Sequence, residues 1–215
     1  MSSSPLPSKA SWNYADEWLD ESEQIRAARD KAKELGCTPV APSTAHTLRV
    51  LAQALNAEAV VEVGTGAGVS GAALLSGMSA DGVLTSIDNE AEIQRLARET
   101  LTSLGFDHIR ARLITGRALD VLPRLTEGAY DLVFIDGDRT EYPAALTLAK
   151  RLLRAGGLVA FDNMLTDGSV ADPASRNSES VALRDVTHAL RDDDHWVPAL
   201  LTVGAGLLVG IKVGG

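Results

Sequence analysis

Two apolar runs in this sequence end abruptly on oxygen-bearing side chains. Tyr130-Asp131-Leu132-Val133-Phe134-Ile135 leads straight into Asp136, and Leu158-Val159-Ala160-Phe161 leads into Asp162 and Asn163. A short apolar run that stops at a charge fits a buried strand whose last residue emerges from a sheet. If the two strands are neighbours, their ends stand about 4.8 Å apart. Two carboxylates and an amide oxygen would then converge on one point. Like charges that close repel unless one is protonated or a cation joins them. Three hard oxygens with room for water suit Mg²⁺ or Ca²⁺ rather than zinc, which prefers nitrogen and sulfur. Asp-Asn is also ordinary turn chemistry, so the cation and the turn stand as alternatives.

A second constellation precedes these. Glu62-Val63-Gly64-Thr65-Gly66-Ala67-Gly68-Val69-Ser70 follows an apolar strand, and its glycines allow a tight turn with backbone N–H groups close to a ligand. The dinucleotide fingerprint needs a glycine where Val69 stands, which disfavours an NAD enzyme. Asp88 closes the next strand about twenty residues on, where a carboxylate can accept both ribose hydroxyls of a nucleoside. A helix cap for the segment starting near Glu90 is the competing role.

These residues need a scaffold that brings strand ends together. Strand-like segments at 59–64, 82–88, 111–115, 130–136 and 158–163 alternate with helical ones, among them a stripe of Ile93, Leu96, Ala97, Thr100, Leu101 and Leu104. The segment 143–157 reads as a helix with a Gly-Gly exit. Two β-rich segments, 196–203 and 206–213, flank Gly204-Ala205-Gly206, a hairpin turn. The pattern predicts an α/β fold: a doubly wound, mostly parallel seven-stranded sheet with an antiparallel C-terminal hairpin. Residues 1–10 read as a disordered tail, 11–56 as N-terminal helices with Gly36 stopping the first helical stretch, and 57–215 as the α/β core of a single domain.

Bulk properties narrow the classes further. The 215 residues suffice for one sizeable core, with 45% hydrophobic and 23% charged residues. A net charge of −9 opposes a broad nucleic-acid or anionic-membrane surface. One cysteine, Cys37, allows no internal disulfide and suggests a reducing, cytoplasmic setting. No apolar run reaches the roughly 18–20 residues of a membrane helix, and the N-terminus lacks the basic and apolar regions of a signal peptide.

Taken in order, EVGTGAGVS, SID, FIDGD and FDN closely resemble the cation-dependent, S-adenosylmethionine-dependent O-methyltransferases, the group containing the caffeoyl-CoA and catechol enzymes. The likeness runs from about residue 35 to the end and includes GRALDVLPRL and GSVADP. It implies a Rossmann-like class I methyltransferase fold. It also implies that Glu62, Gly64, Thr65, Gly66 and Ser70 line the methionine and ribose part of S-adenosylmethionine. By the same resemblance Asp88 holds the ribose, Arg117 and Ala118 border the adenine, and Thr38 and Val40 contact the cofactor. Asp136, also a cofactor contact, joins Asp162 and Asn163 as ligands of a divalent cation, Mg²⁺ before Mn²⁺ or Ca²⁺.

The implied reaction is methylation of a small catechol-like aromatic, one hydroxyl attacking the sulfonium methyl in line. Two departures stand out. Relatives carry a lysine, often assigned as general base, where this chain has Arg139, although the pattern's tyrosine survives as Tyr142. Arginine cannot take a proton, so Arg139 either stabilises a substrate oxyanion or is simply solvated. Relatives also place an acid where Ala205 stands in the final hairpin.

Two other functions compete: methylation of a hydroxylated wobble uridine in tRNA, opposed by the acidic balance, and cofactor binding without turnover. The resemblance implies a homodimer. Trp12, Tyr14 and Trp18 would form a lid over the acceptor or bury against the body or a second subunit. His46, His108, His188 and His195 form no motif, and Arg191-Asp192-Asp193-Asp194 reads as a solvated helix end.

Overall fold

Residues 8–214 are described by a computed structural model. Its sheet is built from β1 (Ala59–Val63), β2 (Val83–Asp88), β3 (Ala111–Thr115), β4 (Tyr130–Ile135), β5 (Leu153–Phe161), β6 (Trp196–Leu201) and β7 (Leu207–Lys212). The strand order is β3-β2-β1-β4-β5-β7-β6. β1 to β5 pair in parallel, and β7 runs antiparallel to both neighbours. The seven-stranded, doubly wound sheet with its antiparallel hairpin is the predicted one.

The alternation of each central strand divides the core in two. Val60, Leu132 and Phe134 pack on one face, under α2 (Glu23–Glu34), α3 (Pro42–Ala54), α4 (Val69–Gly77) and α5 (Ala91–Ser103). Val61, Val133 and Ile135 pack on the other, under α7 (Tyr142–Leu152) and α8 (Ser178–Asp192). Successive side chains of a strand point to opposite faces, so a sheet covered on both sides needs unbroken apolar runs. The remaining helices are α1 (Lys9–Glu17) and the short α6 (Ala118–Val121). Among the described residues no helix is long and apolar enough to cross a membrane.

Three local expectations change. The first helical stretch is two helices, broken over residues 18–22. Ser22 caps α2 by accepting from the Ile25 N–H, and Glu21 leaves the helical path to form a bidentate pair with Arg29 at 2.7 Å. A side-chain cap and a half-buried ion pair outweigh helix continuity here. Residues 1–7 of the expected tail lie outside the described residues, but Ser8 already caps α1.

Gly156-Gly157 lies inside β5 rather than at a helix exit, where the β4–β5 register shifts between Tyr130 and Leu132. Arg154 explains the early strand start: its Nε donates to Asp131 at 2.6 Å, and Asp131 also accepts from the Glu58 and Ala59 N–H groups. This clamp draws β5 against β4, whose Asp131 also holds the start of β1, before the glycines are reached. Finally, Asp193 is not merely solvated, because it accepts from Lys150 Nζ at 2.6 Å. Within the single chain Trp12, Tyr14 and Trp18 are 41%, 74% and 63% exposed, so the body does not bury them.

Candidate active site

The parallel ladder continues one residue past each central strand. Gly64 donates to the Ile87 carbonyl, Asp136 to Val63, Asp162 to Ile135 and Gly116 to Asp88, at 2.8 to 3.1 Å. Asp88, Gly64, Asp136 and Asp162 thus form a row along the carboxyl edge. That row straddles β1 and β4, where the chain order reverses and open α/β sheets bind ligands. Adjacent strand tips do bring the two carboxylates and the amide together.

A cavity of about 410 Å³ opens over the row, bordered by Gly64, Asp88, Gly116, Arg117, Ala118 and Asp136. This volume falls within the size range of small-molecule sites. Gly64 has φ +90, and a methyl group built on it would lie 2.0 Å from the Asp136 carbonyl oxygen. Only glycine lets the two strand tips approach this closely. Asp88 accepts from the Gly66 N–H at 3.0 Å and from the Glu90 N–H at 2.9 Å. It therefore organises both the loop and the approach to α5, and its carboxylate keeps further lone pairs for hydroxyl donors. Arg117 forms an exposed ion pair with Glu141 at 3.1 Å on the cavity's far side.

Other predicted cofactor residues stand behind this surface. Glu62 is completely buried, one oxygen accepting from Ser70 at 2.6 Å and the other from Ser86 at 2.5 Å. Burial pushes its carboxyl up to about 7, opposed by those two hydroxyls. Thr65 is also buried, 2.7 Å from the Ser86 hydroxyl. Glu62, Thr65 and Ser70 thus support the glycine loop from beneath. Thr38 is exposed, Val40 is packed in the core with its carbonyl held by Arg29 at 2.6 Å, and neither borders the cavity. Cys37 lies beside Gly66, its thiol pushed up first by burial and then by the Asp88 and Asp136 charges.

The carboxylate cluster sits at the other end of the row. Asp162 is 2% exposed, and its Oδ1 has no hydrogen-bond partner. Asn163, in the left-handed region at φ +62, donates from Nδ2 to Asp136 Oδ1 at 2.7 Å. Tyr142, wholly buried, donates to the Asp162 carbonyl at 3.1 Å. Burial, then repulsion from Asp162, pushes Asp136 up to about 7. Burial likewise raises Asp162 to about 6, against the Asn163 N–H and the Arg139 charge.

An orphaned buried carboxylate oxygen beside a second carboxylate is destabilising unless positive charge or a proton arrives. The donors are all hard oxygens once the Asn163 amide turns its oxygen inward, so they fit a divalent cation of the Mg²⁺ type. Among the described residues no group of three or more acidic, histidine or cysteine side chains is placed to hold a metal ion by itself. Water and acceptor oxygens would have to complete the coordination. Arg139 is neither free nor aimed as a base, because its Nη1 pairs with Glu179 of α8 at 2.9 Å.

These raised groups make stability depend on pH. Asp136, Asp162 and Glu62 keep their protons in the folded chain to about 7, 6 and 7, against ordinary values of 3.8, 3.8 and 4.5. Through that window the unfolded chain has already lost protons that the folded chain still holds. Folded stability therefore declines as pH rises from about 4 to about 7 and then levels off. Differential scanning fluorimetry of the ligand-free protein should show a melting temperature about 5 °C or more lower at pH 7.5 than at pH 5, and Asp162→Asn should flatten part of the decline.

Sequence comparison places this architecture among known proteins. A profile described as O-methyltransferase matches residues 13–213. A Mycobacterium tuberculosis protein named as an O-methyltransferase is 41% identical over 214 residues, 99% of this chain and 96% of its own length. One from Mycobacterium sp. (strain JLS) is 42% identical over 208 residues, 97% of this chain and 94% of its own. The O-methyltransferase TomG from Streptomyces achromogenes, involved in tomaymycin synthesis and solved in complex with SAM, superposes with a TM-score of 0.88 at 25% identity. It covers 97% of this chain and 100% of its own. A Klebsiella pneumoniae O-methyltransferase structure gives 0.86 at 28% identity, over 95% of this chain and 97% of its own. This chain belongs to the S-adenosylmethionine-dependent O-methyltransferases.

Proposed function

We propose that the enzyme methylates one hydroxyl of a small vicinal-dihydroxy aromatic, with a divalent cation held by Asp136, Asp162 and Asn163. The supporting observation is the unpartnered, buried Oδ1 of Asp162 beside Asp136. When bound there, the cation would supply the charge that lowers a hydroxyl pKa and a surface on which two neighbouring oxygens are aligned.

The chain's own residues do the rest. Asp88 accepts the ribose hydroxyls, the Gly64–Gly66 loop approaches the cofactor with its backbone, and Gly116 to Ala118 border the adenine. Asp136, shared by both ends of the row, orients the cofactor towards the acceptor, and rate comes chiefly from alignment of hydroxyl and methyl. Incubation with labelled S-adenosylmethionine, Mg²⁺ and a panel of catechols tests the reading. Transfer that persists in chelator contradicts the cation's part in it.

Arg139 contributes as a fixed positive charge. It draws the Asp136 and Asp162 ionisations down towards their usual range while Glu179 restrains it. Arg139→Lys should change turnover by less than about tenfold and shift the pH profile, because a fixed charge becomes a titratable one. Activity appearing in the variant but absent from the parent would instead make the natural protein a cofactor binder.

The same reading extends to assembly and location. Trp18, Leu19, Val50, Leu51 and Ala54 line an apolar groove of about 780 Å³ between α1 and α3. We infer that a second copy covers it, which sedimentation equilibrium tests as twice the chain mass. The single cysteine suits a reducing cytoplasm.

A further inference from the structure

Helix α5 carries one amide on its apolar face. Gln94 is 4% exposed, three residues before Ala97 and seven before Leu101, both of them buried. A buried primary amide is costly unless its donors and acceptor are used, and Gln94 uses them on two walls of the cofactor cleft. Its Nε2 donates to the Ile114 carbonyl at 2.8 Å and lies 3.4 Å from Thr65 Oγ1. Its Oε1 accepts from the Thr115 hydroxyl at 2.6 Å.

Ile114 and Thr115 end β3, directly before Gly116, Arg117 and Ala118, which border the cavity. Thr65 lies in the glycine loop, and its hydroxyl connects through Ser86 and Glu62 to Ser70 at the start of α4. Asp88 ties the same two walls from the cleft side, through its carbonyl to Gly116 and its carboxylate to Gly66. Gln94 ties them from behind and does not border the cavity.

We propose that Gln94 is a positioning residue for the cofactor: by bridging Thr65 to Ile114 and Thr115 it sets the spacing between the glycine loop and the β3 tip, and so the width of the nucleoside end of the cleft. The assignment rests on that cleft being the nucleoside site. It requires the loss on mutation to fall on adenosine recognition and to be the same with or without the methyl group.

The test is calorimetric titration of the full chain with S-adenosylmethionine, S-adenosylhomocysteine and adenosine. Gln94→Met keeps length and volume but removes the hydrogen bonds. All three dissociation constants should rise by a similar factor, about tenfold. Thr115→Val, which retains shape, should give part of the same rise, and the double variant should lose no more than Gln94→Met alone. Thr115→Val also carries the test if Gln94→Met does not fold. Parent affinity in a folded Gln94→Met, or a lower melting temperature with unchanged affinity in either single variant, overturns the proposal. A parent that takes up none of the three ligands overturns the cleft assignment together with it.

Discussion

Asp136→Asn is expected to lower methyl transfer at least about 100-fold, the loss seen when one aimed charge-bearing group leaves a transition-state site. Three observations make Asp136 the most sensitive side chain. It directly follows β4, it borders the cavity over the strand tips, and it accepts from the Asn163 that flanks buried Asp162. One carboxylate would therefore serve both the cofactor and the cation of the proposed reaction. Asparagine preserves the shape while deleting a charge that burial and Asp162 both oppose. The variant should accordingly melt no lower than the parent at pH 8, a trade of stability against activity common at such sites. Steady-state assays beside scanning calorimetry check both halves. Near-parent turnover would remove Asp136 from the chemistry.

Gly64→Ala should be nearly as damaging, for a steric reason. The added methyl would lie 2.0 Å from the Asp136 carbonyl oxygen and 2.8 Å from its carbonyl carbon, at a φ of +90. Both obstacles are backbone, so no rotamer change relieves them, and the tips of β1 and β4 must separate. A loss of about 2–4 kcal/mol in unfolding free energy follows from overpacking added to backbone strain, read by urea denaturation. Because Gly64 and Asp136 share the cavity border, cofactor affinity should fall at least about 100-fold, the scale of a misplaced alignment. Binding within about threefold of the parent would show that the loop tolerates the shift.

The strands were legible because a sheet covered on both faces demands continuous apolar runs, and the site was legible because its acids end those runs. Asp88, Asp136, Asp162 and Asn163 needed only the parallel pairing to be brought into one row. What spacing did not show was direction. Glu62 and Ser70 belong to the glycine stretch, yet alternation along β1 puts Glu62 on the same buried face as Val60. A residue inside a doubly covered strand cannot readily turn towards a ligand. Gln94 has a local signature, a polar side chain in register with Ala97 and Leu101. The break at residues 18–22 and the glycines within β5 depend on Arg29–Glu21 and Arg154–Asp131, tertiary pairs with no local trace in the sequence.

The central claim is a divalent cation seated between Asp136, Asp162 and Asn163, and Mn²⁺ titration followed by electron paramagnetic resonance tests it without knowledge of the acceptor. With S-adenosylhomocysteine present, the parent should take up one Mn²⁺ per chain, displaceable by Mg²⁺, and Asp162→Ala should take up none. A parent that leaves Mn²⁺ free in solution, or an Asp162→Ala variant that binds it as the parent does, would contradict the account.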